Sequence, residues 1–200
     1  LTVGTGVTIG IAGIATFRTG RIDVGDSLFN TSIGELAGDA ITTGAQNTGV
    51  GYNALSANTT GSYNVAIGDN ALSANTTAES HVAVGNNALA ANTTGDSNTA
   101  VGGNALDANT TGDSNTAVGR HALGANTTAN DNSAFGHSAL KANTTGTYNV
   151  AVGSGCLDAN TTAHNNTAVG YNALTANTTG TGNVAIGIAA LEDNVSGTQS

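Results

Sequence analysis

The 200-residue chain carries 13 acidic residues against four Lys and Arg, for a formal net charge of −9, and only 8% of it is charged. Binding to a phosphate backbone needs clustered Lys and Arg, so no nucleic-acid partner is expected, and no apolar run approaches the roughly 20 residues of a membrane span. Apolar content of 38% argues against disorder, but it is mostly Ala and Val, which allows only a narrow core.

Residues 1–29 read as a β-rich N-terminal lead-in. Gly4, Gly6, Gly10 and Gly13 interrupt runs of Val, Ile and Thr, which predicts short strands and turns. Phe17, Arg18, Arg21 and Asp23 are expected to form a local collar. A start at Leu1 with no signal peptide reads as a piece of something longer.

From Asn30 a 17-residue unit recurs without insertion, and its ten copies make an array over 30–197 with a short tail at 198–200. The unit reads Asn-Thr-Ala-Val-Gly-x-x-Ala-Leu-x-Ala-Asn-Thr-Thr-Gly and two variable residues. A fixed short period means that each unit is one layer of a stack. In Asn64-Val65-Ala66-Ile67-Gly68, Val65 and Ile67 point to one face of an extended strand and Ala66 to the other. Gly holds the fifth position of every copy, as a turn with φ > 0 or a close backbone approach would require. A second segment such as Asn53–Ala57 and a closing Asn58-Thr59-Thr60-Gly61 complete the turn. The fold class is therefore all-β: a parallel β-solenoid or β-roll, a rod roughly 48 Å long at ~4.8 Å per coil.

Ala at the third, eighth and eleventh positions is expected inside. Val or Ile at the fourth position and the Leu55-to-Leu174 ladder at the ninth must then also find dry surroundings. Either ladder left outside a monomer would exceed the few hundred Å² of apolar patch that monomers tolerate. The expectation is a homo-oligomer, a trimer, with one ladder at the interface. The alternative is that both ladders fit inside one wide coil.

Few positions suggest chemistry. The Asn58 to Asn177 series matches the N-glycosylation pattern, but stacked amides hydrogen-bonding along the rod are the stronger reading. Asp96 and Asp113 share the sixteenth position of successive coils, ~5 Å apart, a separation that would suit a retaining glycosidase, yet they read more plainly as turn acids. The four His fall at four different positions and are expected at the surface. No catalytic residue, cofactor or metal is expected, and the chain is not read as an enzyme. Cys156 replaces Ala and reads as a small buried hydrophobe, while Phe135 replaces Val and is expected to fill a wider core layer. The variable positions are the candidates for receptor contact: Tyr52, Arg120, His137 and Tyr171 at the sixth, Tyr63 and Tyr148 at the seventeenth. Tyr can stack on a sugar with its hydroxyl hydrated.

The repeat, closest in Asn166 to Gly180 and in Asn47 to Gly61, resembles those of tail-fibre-like virion proteins of bacteriophages, especially myoviruses of marine cyanobacteria. Asn64-Val-Ala-Ile-Gly68 is also similar to the repeat of trimeric autotransporter adhesin heads. The resemblance implies a structural segment of a tail fibre or virion appendage, a rigid rod for host-surface attachment. Its partners would be further copies in a homotrimer, other virion or fibre proteins, and host-surface polysaccharide. A bacterial trimeric adhesin at the cell surface is the nearer alternative. The Thr array supports a more distant one, an ice-binding β-solenoid.

Overall fold

The computed structural model describes residues 28–199. The collar residues Phe17, Arg18, Arg21 and Asp23 lie outside the described residues, as does most of the lead-in. The described chain holds ten strands of three residues: β1 (Thr31–Ile33), β2 (Thr48–Val50), β3 (Val65–Ile67), β4 (Val82–Val84), β5 (Thr99–Val101), β6 (Thr116–Val118), β7 (Ser133–Phe135), β8 (Val150–Val152), β9 (Thr167–Val169) and β10 (Val184–Ile186). They form one parallel sheet in chain order. Each strand pairs in register with the strand 17 residues on, as Val65, Ala66 and Ile67 do with Val82, Ala83 and Val84. Successive coils are therefore superposable layers of a β-solenoid.

The strand is short because Gly stops it. Gly68 has φ +136°, and a Cβ there would lie 2.5 Å from the Gly85 carbonyl oxygen of the next coil. Both reasons for Gly, a positive φ and a close backbone approach, hold at once. Beyond Gly the chain makes a series of turns and no second strand. Asn87 and Leu89, at the seventh and ninth positions, have φ 55°, and the seventeenth-position Ser97 has φ 58°. Left-handed backbone is uncommon for Leu. It is held there by one bond to the neighbouring layer, from the Leu89 N–H to the Ala105 carbonyl at 3.0 Å, and by one within the coil, from the Asn92 N–H to the Leu89 carbonyl at 3.3 Å.

These turns decide where the two apolar ladders go. Leu55, Leu72, Leu89, Leu106, Leu123, Leu140, Leu157 and Leu174 are wholly buried, packed with the third- and eighth-position Ala. The second and fourth strand positions face outward, half-buried or exposed. The ladders thus lie on opposite sides of the coil wall, and the wide coil holding both is not formed. Two expectations fail for the same reason. Phe135 is 42% exposed, because strand alternation sends the fourth position outward and not into the core. The eleventh-position Ala, Ala57 to Ala176, is only half-buried, because the turn carries it past the Leu wall towards solvent.

Opposite the Leu wall the core is lined with amides. Asn109 Nδ2 donates to Asn92 Oδ1 at 2.9 Å and to its own coil's Gly112 carbonyl at 2.9 Å. The same pair of bonds recurs from Asn75 to Asn177. A second ladder, at the first position, stands beside it: Asn115 N–H donates to Asn98 Oδ1 at 2.9 Å, and Asn115 Nδ2 to the Ala129 carbonyl at 2.7 Å. Buried amides in so small a core are tolerable only because their donors and acceptors are used. In the last coil Asn194 turns its Oδ1 to the Gly197 N–H at 2.9 Å, and Asn177 Oδ1 is left without a hydrogen-bond partner. Leu191 there is 39% exposed, so Glu192, Asp193 and Val195 do not close the apolar ladder as a cap would.

Candidate functional site

The outward face of the sheet is the surface that the sequence pattern marks most strongly. Its second position holds Thr, Ser or Val and its fourth holds Val, Ile or Phe. Among the described residues no strand contains a charged residue, although Asp, Glu, Lys and Arg occupy the sixth, tenth, eleventh, sixteenth and seventeenth positions elsewhere on the coils. The face is thus an uncharged strip along the whole stack, β-branched throughout except at Ser133 and Phe135. Exposure rises at the ends, to 72% for Ile186.

Gly at position five and the left-handed turn at position seventeen border this strip. Exposed Tyr52, Arg120, His137 and Tyr171 stand in one column on the Gly side, while Tyr63 and Tyr148 stand in another on the far side. The six candidate contacts are not brought to one point. Arg120 and His137 are register neighbours, whereas Tyr52 and Tyr171 are seven coils apart, ~34 Å along the rod. His137 meets His121 edge to face, with ring centroids 6.5 Å apart.

A separate exposed rank runs along the sixteenth position. Asp96 accepts the Glu79 N–H at 2.8 Å, Asp113 accepts the Asp96 N–H at 2.7 Å, and Asn130 accepts the Asp113 N–H at 2.8 Å. His164 Nδ1 takes the same role for Thr147 N–H at 2.9 Å. The two carboxylates therefore serve as rungs of a backbone-capping ladder. Among the described residues no three His, Cys, Asp or Glu side chains converge where a metal ion could sit. No described helix is long and apolar enough to cross a membrane.

Threonine hydroxyls divide by position. At the thirteenth they donate to the carbonyl of the next coil, as Thr59 Oγ1 does to Thr76 at 2.9 Å. At the fourteenth, from Thr43 to Thr179, the side chains form a single exposed file. The sequon asparagines are fully buried in their amide ladder, so folded coils offer none of them to a glycan.

His81 departs from the surface expectation for histidines: it is completely buried. The first and third strand-side positions share the inward face, so alternation from Ala83 already pointed to it. Burial pulls its pKa down from 6.5 to about 4, against the opposing pull of the charges of Asp96 and Asp113. Cys156 is buried as expected, with Sγ 3.2 Å from the Ala168 carbonyl, and desolvation pushes its thiol up to about 11. Partial burial also raises the Asp107 carboxyl.

No family model, curated protein or solved structure matches the chain.

Proposed function

We propose that this chain is a rigid rod segment of an oligomeric surface fibre, of the phage tail-fibre kind, in which copies meet through the outward sheet face. The observation that carries the reading is the uncharged strip of second- and fourth-position side chains that runs the length of the stack. A strip of ten strands by three residues measures roughly 45 by 10 Å, or about 450 Å². That is comparable to the largest patch on a typical monomer, a size that is often functional. It is also less than the ~800 Å² per partner of a standard two-body interface. Three copies arranged with their strips towards one axis bury each strip between two neighbours, and the flanking columns at positions six and seventeen enlarge every contact.

The mechanical role follows from the stacking. Every coil is bonded to the next through its strand, its turns and two buried amide ladders. Bending the rod strains many of these bonds together. Such a rod holds a distal host-binding element away from a virion. Any of the Tyr52, Tyr63, Tyr148 and Tyr171 rings left uncovered at the edges of those contacts would be open to surface polysaccharide. The same geometry would serve a trimeric adhesin on a bacterial surface.

Light scattering on a sizing column, across a concentration series, tests the reading. The expected result is a stable trimer that Val101→Asp with Val118→Asp converts to monomer, with the β-sheet circular dichroism unchanged. A wild-type monomer at micromolar concentration would overturn it. The exposed file of position-fourteen threonines favours one other class, ice binding. A monomer with measurable thermal hysteresis would support that reading instead.

A further inference from the structure

Nine of the ten rungs of the first-position ladder are Asn, and His81 is the tenth. An Asn rung offers one acceptor to the next coil and one donor to its own. Asn115 Oδ1 accepts the Asn132 N–H at 3.1 Å, while its Nδ2 donates to the Ala129 carbonyl at 2.7 Å. The imidazole reproduces that pair. Its Nδ1 accepts the Asn98 N–H at 3.1 Å, which leaves the Nε2 edge as the donor side, towards Gly95 of its own coil. This assigns the hydrogen to Nε2. The His81 N–H continues the ladder backward to Asn64 Oδ1 at 3.0 Å.

The likeness to Asn holds only while the ring is neutral. A second proton would fall on Nδ1, where it faces the Asn98 N–H, donor against donor, at a position with no solvent exposure. On the Nε2 side stands the Asn92 amide nitrogen, at 3.2 Å, itself a donor to Asn75 Oδ1 and to the Gly95 carbonyl. From coil 3 the neighbour is the uncharged Asn64 amide. From the ring's own coil and from coil 5, Asp96 and Asp113 favour the proton, but both are exposed and already accept main-chain N–H groups. Glu79, near the end of coil 3, is exposed too.

We propose that the His81 rung is an acid-sensitive joint in the rod: protonation replaces the acceptor for Asn98 N–H by a donor and opens coil 4 against coil 5. The closed coil holds the ring at about 4, whereas a ring released to water returns to 6.5. Opening therefore takes up a proton between those values. It is unaffected above pH 6.5, grows easier as pH falls, and levels off below pH 4 at about 300-fold more opening. The other nine rungs, being amides, do not respond.

His81→Asn is a clean control, because it restores the residue that fills the same place in every neighbouring coil. Amide hydrogen exchange from pH 7 to pH 4, corrected for intrinsic rates, reads the joint directly. Protection at Asn98 and along β4 and β5 should fall by about 100-fold more in the wild type than in His81→Asn by pH 4. Asn115→His in that background should move the loss to Asn132. Equal pH profiles for wild type and His81→Asn, or an acid response in the variant at the same rung, would overturn the proposal.

Discussion

The core of each coil has two walls of different chemistry, one of Ala and Leu and one of Asn. Between coils 3 and 9 each wall contains a single departure at its buried ladder positions, Cys156 on the first and His81 on the second. Cys replaces Ala with a slightly larger, weakly polar group, and the layers above and below accept it. His replaces Asn with a much larger ring, yet it preserves one acceptor and one donor in nearly the same places. The apolar wall constrains volume, and the amide wall constrains the count and direction of hydrogen bonds.

Asn109→Leu is the strongest way to break that comparison. Leu keeps the Cγ-branched outline and heavy-atom count of Asn while removing every hydrogen-bonding atom, so a wall that constrained only shape would come closest to tolerating it. Yet Asn109 Nδ2 serves Asn92 Oδ1, and Asn109 Oδ1 serves Asn126 Nδ2, each at 2.9 Å. The substitution strands a buried Asn92 oxygen and removes a bond from Asn126. Gly112 keeps its bond from Asn98 Nδ2 at 2.7 Å. The expected loss is about 4 kcal/mol, combining an orphaned buried acceptor with the lost bonds. Urea unfolding at pH 7 would measure it, and a cost below about 1 kcal/mol would mean that the amides are ornamental to stability.

Leu106→Ala probes the opposite wall. Leu106 is fully buried, stacked between Leu89 and Leu123. Deleting its branched end should cost about 3 kcal/mol, for lost transfer energy and the cavity left behind. Coils bonded rigidly above and below limit collapse into that cavity. A cost near zero would imply that adjacent layers close up, and that the rod is softer than its bonding suggests.

How far the sequence could be read follows the same division. The strand, its Gly stop and the sequon ladder were legible because each repeats with a local physical signature. Burial of Cys156 followed from its place in the Ala series. The direction of the ladders was not legible. Period-two alternation puts Val65 and Ile67 on one face without saying which face is inside. The Leu ladder is turned inward by left-handed backbone at positions seven and nine, and Leu carries no sequence signal for that conformation. Phe135 was misplaced by its hydrophobicity, and the eleventh-position Ala by its small size. His81 could have been found, since the residue two before a buried strand Ala lies on the same side. The receptor contacts stay scattered along the rod because variable turn positions carry no pattern that links distant coils.

The smallest expected effect sharpens the comparison most. Ala122→Cys places a thiol at the eighth position of coil 6, between the buried Ala105 and Ala139, as Cys156 sits in coil 8. If the apolar wall is limited by volume alone, one added sulfur should cost under about 1.5 kcal/mol, well below the Leu106 cavity. The new thiol should also share the environment that pushes Cys156 up to about 11. Neither thiol should then react with a thiol-specific reagent in the folded protein at pH 8, and both should label once urea unfolds the stack. A cost equal to that of Leu106→Ala would show that Cys156 is tolerated for some reason peculiar to coil 8. Rapid labelling of the folded variant would place the eighth position nearer solvent than its neighbours allow. A small cost with silent thiols would leave volume as the rule on that wall, and hydrogen-bond count as the rule on the other.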